Sequence, residues 1–142
     1  MIYTDATKKA LKLCFEAHKD QVDKSGMPYV FHPFHLAEQM KDEVTTVVAL
    51  LHDVVEDTEY TPADLKAMGF SEAVTDALAL LTHDPEVPYM EYVLCIKDNP
   101  IARAVKLADL KHNSDLSRTD KVDANTLARR EKYLKAMALL EG

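Results

Sequence analysis

The stretch LLHDVVEDTEYTP, residues 50–62, sets four groups able to bind a metal or move a proton at one end of an apolar run. On a helix advancing about 100° per residue, His52 and Glu56 lie about 40° apart, with Asp53 and Asp57 at about 100° and 140° from His52. All four side chains therefore share one broad face. The residues before them, Val44, Val47, Val48, Ala49, Leu50 and Leu51, are so apolar that they predict a helix buried almost all round. Carboxylates in such a setting are costly unless a cation or hydrogen-bond donors meet them. A divalent metal does this directly: His supplies a nitrogen, Asp supplies an oxygen, and the other two acids stay free for proton transfer. The plain alternative for Glu56 and Asp57 is a solvated acidic helix end. An acidic pair at the negative end of a helix dipole is unfavourable by itself, which argues for a nearby cation.

Around this stretch the chain reads as a single domain, residues 1–142, of all-α class. Three glycines and no tryptophan, in a chain rich in Ala, Leu, Lys, Glu and Asp, favour helices. A net charge of −7 excludes a nucleic acid polymer as the expected partner but permits a small anionic ligand met by local cations. Two cysteines, Cys14 and Cys95, have no metal-type spacing and read as buried reduced thiols. With no signal peptide and no long apolar run, the expectation is a cytoplasmic protein without membrane contact.

The flanking segments supply the scaffold. Asp5 to about Gln21 predicts a helix capped by Thr4 or Asp5, with Ala6, Ala10, Leu11, Leu13, Cys14, Phe15 and Ala17 on its apolar face. DKSGMPY at 23–29 breaks it, and a second helix starts near His32 or Pro33. His32 at that junction is either a cap or packing residue or a ligand, and His52-Asp53 makes the ligand reading the stronger one. Tyr29, Phe34 and His35 read as packing. Downstream, Thr61-Pro62-Ala63-Asp64 is a helix start, Ser71 caps the next helix, and His83-Asp84 reads as an ordinary helix terminus. A helix from about Tyr89 to Ile96 should bury Val93, Leu94 and Ile96. Asn99 and Pro100 then open a helix in which Asp109 interrupts an apolar surface and Asn113, one turn on, can hydrogen-bond a ligand or the carboxylate's neighbours. The last helix, about Ala124 to Leu140, is expected to turn Leu127, Leu134, Ala138 and Met137 inward.

Three ordered motifs carry a resemblance. Q-x-x-K-S-G-x-P-Y-x-x-H-P at Gln21–Pro33, H-D-x-x-E-D at His52–Asp57 and V-K-L-A-D-L-x-x-N at Val105–Asn113 are together similar to the hydrolase domain of the Rel/Spo alarmone enzymes, HD-domain phosphohydrolases. The resemblance runs from about Ala10 to Tyr133 and is nearest to the stand-alone, hydrolase-only members. It implies a compact multi-helix HD fold, metal ligands His32, His52, Asp53 and Asp109 holding manganese, and an acid pair, Glu56 and Asp57, that assists removal of the 3′-pyrophosphate of (p)ppGpp. Lys24 and Arg129 are implied phosphate contacts, and Tyr133 a residue that stacks on or hydrogen-bonds the nucleoside. In one place the chain departs from the family: Asp23 stands where an arginine thought to contact guanine is common. An acid there repels phosphate and puts the guanine preference in question.

Two imidazoles and two carboxylates balance a divalent ion and leave positions open, which suits Mn²⁺, or Fe²⁺ or another divalent transition metal. Glu56, about one turn from His52, is placed to take a proton from water, and Asp57 to orient that water or protonate the leaving oxygen. Three other readings stay open: hydrolysis of another nucleotide phosphate such as that of NADPH, an idle nucleotide-binding module, and a structural helical protein with an incidental metal. The acid pair argues against the second, the order of the motifs against the third. The oligomeric state is not legible.

Overall fold

The computed structural model describes residues 1–142 as eight α-helices and one 3-10 turn, with no strand. The order is α1 (Asp5–His18), α2 (Phe31–Glu38), α3 (Glu43–Asp57), α4 (Pro62–Ala67), α5 (Glu72–Leu81), α6 (Tyr89–Ile96), α7 (Pro100–Asn113) and α8 (Ala124–Glu141), with the 3-10 turn at Leu116–Arg118 before α8. No helix is long and apolar enough to cross a membrane.

Local chemistry sets the boundaries. Thr4 caps α1 through a capping box with Thr7, and Asp42 caps α3 by accepting from Thr45 N at 2.8 Å. Thr61 and Asp64 reciprocate at α4, and Asn99 accepts from two amides at the start of α7, each with proline in the first turn as the sequence predicts. Gly69, at φ 98°, lets the chain leave α4 by a left-handed turn.

Helix α3 is the axis of the fold. It packs against α1, α2, α5 and α7, and Val47 to Leu51 are fully buried on every side. Each such leucine removed from water contributes roughly 1.5–3 kcal/mol, so the helix that bears His52 and Asp53 is held rigidly from all directions. Helix α7 lies against α3 on one side and α8 on the other.

Several expected core positions differ. Helix α1 ends at His18 and not near Gln21, because Gln21 N donates back to His18 O and the chain turns there. Its buried stripe is Thr7, Ala10, Leu13, Cys14 and His18, which leaves Phe15 exposed on the opposite face. On α6 the buried residues are Tyr92, Val93 and Ile96, and Leu94 is exposed; Tyr92 takes the inward place because its hydroxyl donates to Leu81 O at 2.6 Å. On α8, Leu127, Leu134 and Ala138 face solvent, whereas Ala136 and Leu140 are buried and Tyr133 and Met137 half-buried. That helix presents a mixed polar stripe to the fold, so apolarity misidentifies its inner face. Cys14 is buried as expected, but Cys95 is exposed.

Candidate active site

Three helices bring the proposed ligands together. His32 sits in the first turn of α2, His52 and Asp53 in the last two turns of α3, and Asp109 in α7, 77 positions from His32. His32 Nε2 lies 2.8 Å from Asp109 Oδ1 and 3.7 Å from Asp53 Oδ2, while His52 Nε2 lies 3.1 Å from Asp53 Oδ2 and 3.6 Å from Asp109 Oδ1. One ligand atom each from His32, His52 and Asp109 falls within a mutual 4.8 Å, and Asp53 joins through both imidazoles.

The donor set fits a divalent ion. His52 Nδ1 donates to Ala49 O at 2.7 Å, which fixes the ring and turns Nε2 toward the two carboxylates. That Nε2 is buried with no hydrogen-bond partner, and a divalent ion held between it and the carboxylates would satisfy it. Its 3.1 Å approach to Asp53 is close but not aligned for a hydrogen bond. His32 is oriented in the same way: its Nδ1 lies 2.7 Å from Nδ1 of His112, which itself stacks on His35. Burial, with Arg118, His32 and His35 behind it, pushes the His112 pKa down to about 3, so His112 is neutral and can accept the proton that His32 presents.

The electrostatics of the cluster favour a positive charge at its centre. Burial disfavours the His52 imidazolium, but the carboxylates of Asp53 and Asp109 outweigh it and hold the pKa well above the ordinary histidine value. Burial likewise opposes ionisation of Asp109, yet Lys106 and the two histidines hold its carboxyl well below the usual range; Asp53 is lowered chiefly by His52. A divalent ion supplies that positive charge without a proton.

Glu56 and Asp57 stand apart from the four candidate ligands. Both are exposed at the end of α3, and Glu56 Oε2 accepts from His83 N at 3.0 Å. The His83 segment, expected to be an ordinary terminus, thus tethers the acid, while the His83 imidazole is engaged at Val87 O, 2.7 Å away. Partial desolvation and then the charge of Asp53 raise the Asp57 pKa.

Lys24, Asn113, Arg129 and Tyr133 line one cavity of about 440 Å³, together with Arg118 and Arg130. Two residues link this cavity to the ligand cluster. Tyr29, a cavity wall, donates its hydroxyl to Asp53 Oδ2 at 2.6 Å, and Asn113 Nδ2 donates to Asp109 Oδ1 at 3.0 Å. Tyr29 is therefore more than the packing residue its sequence context suggests. Asp23 also has a different task. Its Oδ1 accepts from Ser25 N at 2.8 Å and Met27 N at 3.0 Å, organising the loop in which Gly26 takes φ 81°, and its Oδ2 lies 3.9 Å from the Arg118 guanidinium. The acid is turned onto its own loop and partly compensated, so it is not a free repulsive charge.

Sequence reasoning read Tyr29 as packing and passed over Lys106, His112, Arg118 and the buried His18, whose ring tilts against Tyr29 at 5.2 Å. Lys106 and His112 lie three residues either side of Asp109 on one helix, a spacing that marks them as candidates. The others meet the site only through the tertiary fold.

Fold and donor set together define a class: an all-helical domain with a buried two-histidine, two-aspartate cluster beside a basic cavity. No family model matches the chain. Over 119 residues, 75% of this chain, it is 34% identical to a GTP pyrophosphokinase of Streptomyces coelicolor, of which that stretch is 14%. Over 123 residues, 78% of this chain, it is 29% identical to a guanosine-3′,5′-bis(diphosphate) 3′-pyrophosphohydrolase of Aquifex aeolicus, 18% of that protein, and it is 28% identical to the bifunctional (p)ppGpp synthase/hydrolase SpoT of Escherichia coli over 75% of this chain and 17% of that one. The chain thus spans less than a fifth of these relatives. A solved structure of a metazoan orthologue of SpoT, described as hydrolysing ppGpp, matches with a TM-score of 0.73 at 24% identity, covering 99% of this chain and 85% of the other, which establishes the common fold. The chain is a relative of the Rel/Spo-type enzymes.

Proposed function

We propose that this domain is a Mn²⁺-dependent hydrolase that removes the 3′-pyrophosphate of (p)ppGpp. The observation that carries the reading is the convergence of His32, His52, Asp53 and Asp109 beside a cavity walled by Lys24, Asn113, Arg129 and Tyr133. The names of the relatives support the same substrate class. Two nitrogens and two oxygens suit Mn²⁺, with Fe²⁺ as the nearest competitor. Bound there, a divalent ion supplies the polarisation of a phosphoryl oxygen and the acidification of water that phosphate ester cleavage needs.

The protein's own groups do the rest. Lys24 and Arg129 hold phosphate oxygens, Tyr133 seats the nucleoside, and Asn113 bridges the cavity to Asp109. Tyr29 fixes the orientation of Asp53, and Lys106 that of Asp109. Glu56, steadied by His83 N, takes the proton of the attacking water. Asp57, its pKa raised, holds a proton more readily than an ordinary aspartate and delivers it to the leaving oxygen.

The deciding experiment incubates the Mn²⁺-loaded protein with a nucleotide panel that includes ppGpp, pppGpp and NADPH. Release of pyrophosphate from the guanosine compounds is the expected result. Release of orthophosphate from NADPH alone would move the activity to another nucleotide, and tight binding without any release would leave a sensor module.

A further inference from the structure

Glu56 is exposed at the end of α3, and the one hydrogen bond its carboxylate accepts comes from a distant loop: Oε2 receives the backbone amide of His83, 27 positions away, at 3.0 Å. An exposed glutamate samples several staggered rotamers, so this bond decides where the carboxylate spends its time. The carboxylate is therefore only as well placed as the loop that holds it.

That loop, residues 82–88 between α5 and α6, is closed on itself at three points. Asp84 Oδ1 accepts from Glu86 N at 3.0 Å, Val87 N donates to Asp84 O at 2.9 Å, and the His83 imidazole donates from Nε2 to Val87 O at 2.7 Å. The first two bonds shape the tip; the third joins the residue that holds Glu56 to the entry of α6. A histidine that merely closed α5 would meet the carbonyls at that helix end, but there Thr82 Oγ1 donates to Leu78 O at 2.9 Å and His83 spans the loop instead. The same ring packs on Tyr92 with centroids 4.6 Å apart and meets Tyr89 edge-on at 5.8 Å. Tyr92 is buried and its hydroxyl donates to Leu81 O at 2.6 Å, so the surface beneath His83 belongs to the core. These two tyrosines also flank the Lys106 ammonium, which lies 3.1 Å from Asp109 Oδ2. One aromatic pair thus backs both the residue that holds Glu56 and the residue that holds Asp109.

We propose that the His83 side chain is a positioning residue for Glu56: pinned between Val87 O and the Tyr92 ring, it holds in place the backbone amide that orients the Glu56 carboxylate. Oε2 is committed to that amide, and Oε1 is left to meet the attacking water. This rests on the reading of Glu56 as the base and deepens it, because it assigns the orientation of the base to a side chain outside both the candidate ligand set and the basic cavity.

The test compares His83→Ala and His83→Gln with the unmodified, Mn²⁺-loaded protein on ppGpp, and repeats His83→Ala in the Glu56→Gln background. His83→Ala should lower kcat about tenfold while KM moves by less than about twofold. Glutamine carries an amide donor at the reach of the imidazole Nε2 and can bond Val87 O again, so His83→Gln should recover at least about threefold of that loss. With Glu56→Gln in place no base is left to orient, and His83→Ala should change the residual kcat by less than about twofold. A loop that mattered only for stability would cost the same factor in both backgrounds; that result overturns the proposal, as does an unchanged kcat in His83→Ala or no recovery in His83→Gln. A second readout needs no turnover. Hydrogen-exchange protection of the amide at position 83, followed by NMR, should fall at least about tenfold in His83→Ala and in Glu56→Ala, and less than about threefold in His83→Gln. Undiminished protection in His83→Ala overturns the pin. If protection behaves as expected while Glu56→Gln keeps near-normal kcat, or while the unmodified protein cleaves no nucleotide, His83 holds Glu56 but the base reading fails; a large loss of kcat in Glu56→Gln with undiminished protection in His83→Ala separates the two the other way.

Discussion

Lys106 stands one helical turn before Asp109 and places its ammonium 3.1 Å from Asp109 Oδ2, while Oδ1 of the same carboxylate accepts from Asn113 and faces His32. The pair is buried, and the aromatic rings of Tyr89 and Tyr92 flank the ammonium at 5.8 and 5.3 Å. Burial alone lowers a lysine pKa, but Asp109 and then the two tyrosines raise that of Lys106 above its ordinary value, so it stays charged. Truncating one partner of a buried pair exposes the cost of the other. Lys106→Met should lower unfolding stability of the metal-free protein by about 3 kcal/mol, and saturating Mn²⁺ should recover part of that because the ion also compensates Asp109. Urea denaturation with and without Mn²⁺ checks it, and an equal loss under both conditions would separate Lys106 from the metal site.

The four-ligand assignment predicts loss of metal on single substitution. His52→Ala and Asp109→Ala should each drop bound Mn²⁺ to background in elemental analysis, with activity lost in parallel. Adding Mn²⁺ to the unmodified protein at about 100 times its Kd should stabilise the fold by about 2.7 kcal/mol, and chelation should reverse this in a thermal melt. Stoichiometric metal in Asp109→Ala would remove that residue from the ligand set.

Glu56 is held by a backbone amide and by none of the metal ligands, so its replacement should spare binding. Glu56→Gln keeps an oxygen for His83 N and removes the proposed base; kcat should fall by roughly 10²- to 10⁴-fold with metal content and nucleotide affinity unchanged. Near-normal turnover would make Glu56 a solvated helix-end acid.

Asp23 shapes its loop before it does anything else. Asp23→Asn retains an acceptor for Ser25 N and Met27 N and should leave stability within about 0.5 kcal/mol, whereas Asp23→Ala loses both bonds and should cost about 1–2 kcal/mol. Asp23→Arg loses the turn and sets a like charge beside Arg118, so KM should rise for guanosine and adenosine substrates alike. A lower KM specific to guanosine in that variant would show that position 23 reads the base.

The two cysteines should react differently. Burial, and then the charge of Asp53, push the Cys14 thiol up to about 12, so it remains protonated and unreactive at any pH below that value, while Cys95 is exposed. Iodoacetamide at about pH 8.5, near the ordinary thiol value, should modify one residue in the native protein and two after denaturation. Cys95→Ser should abolish the fast reaction, and Cys14→Ser should not; mass spectrometry of the alkylated protein decides.

Much of this molecule was legible before folding because its signals are local. Helix starts at Thr61, Ser71 and Asn99 rest on side chains that satisfy amides two or three residues away. The buried character of α3 follows from a run of apolar residues too continuous for a surface helix, and three ordered motifs carry the resemblance to the Rel/Spo enzymes. Faces were less secure than elements. Helix α8 turns Arg129, Arg130 and Tyr133 toward the cavity and leaves Leu127 and Leu134 in water, and residue type alone cannot distinguish a polar face that lines a binding cavity from one that meets solvent. Only the tertiary structure could bring Tyr29 to Asp53, His112 to His32, and Arg118 to Asp23, since these contacts span 24, 80 and 95 positions and depend on how α2, α3 and α7 are packed. The sequence by itself determined the candidate ligand types and the helices that bear them. Packing decided their tautomers, their charge partners and the cavity beside them, because each depends on distances that no periodicity along the chain encodes.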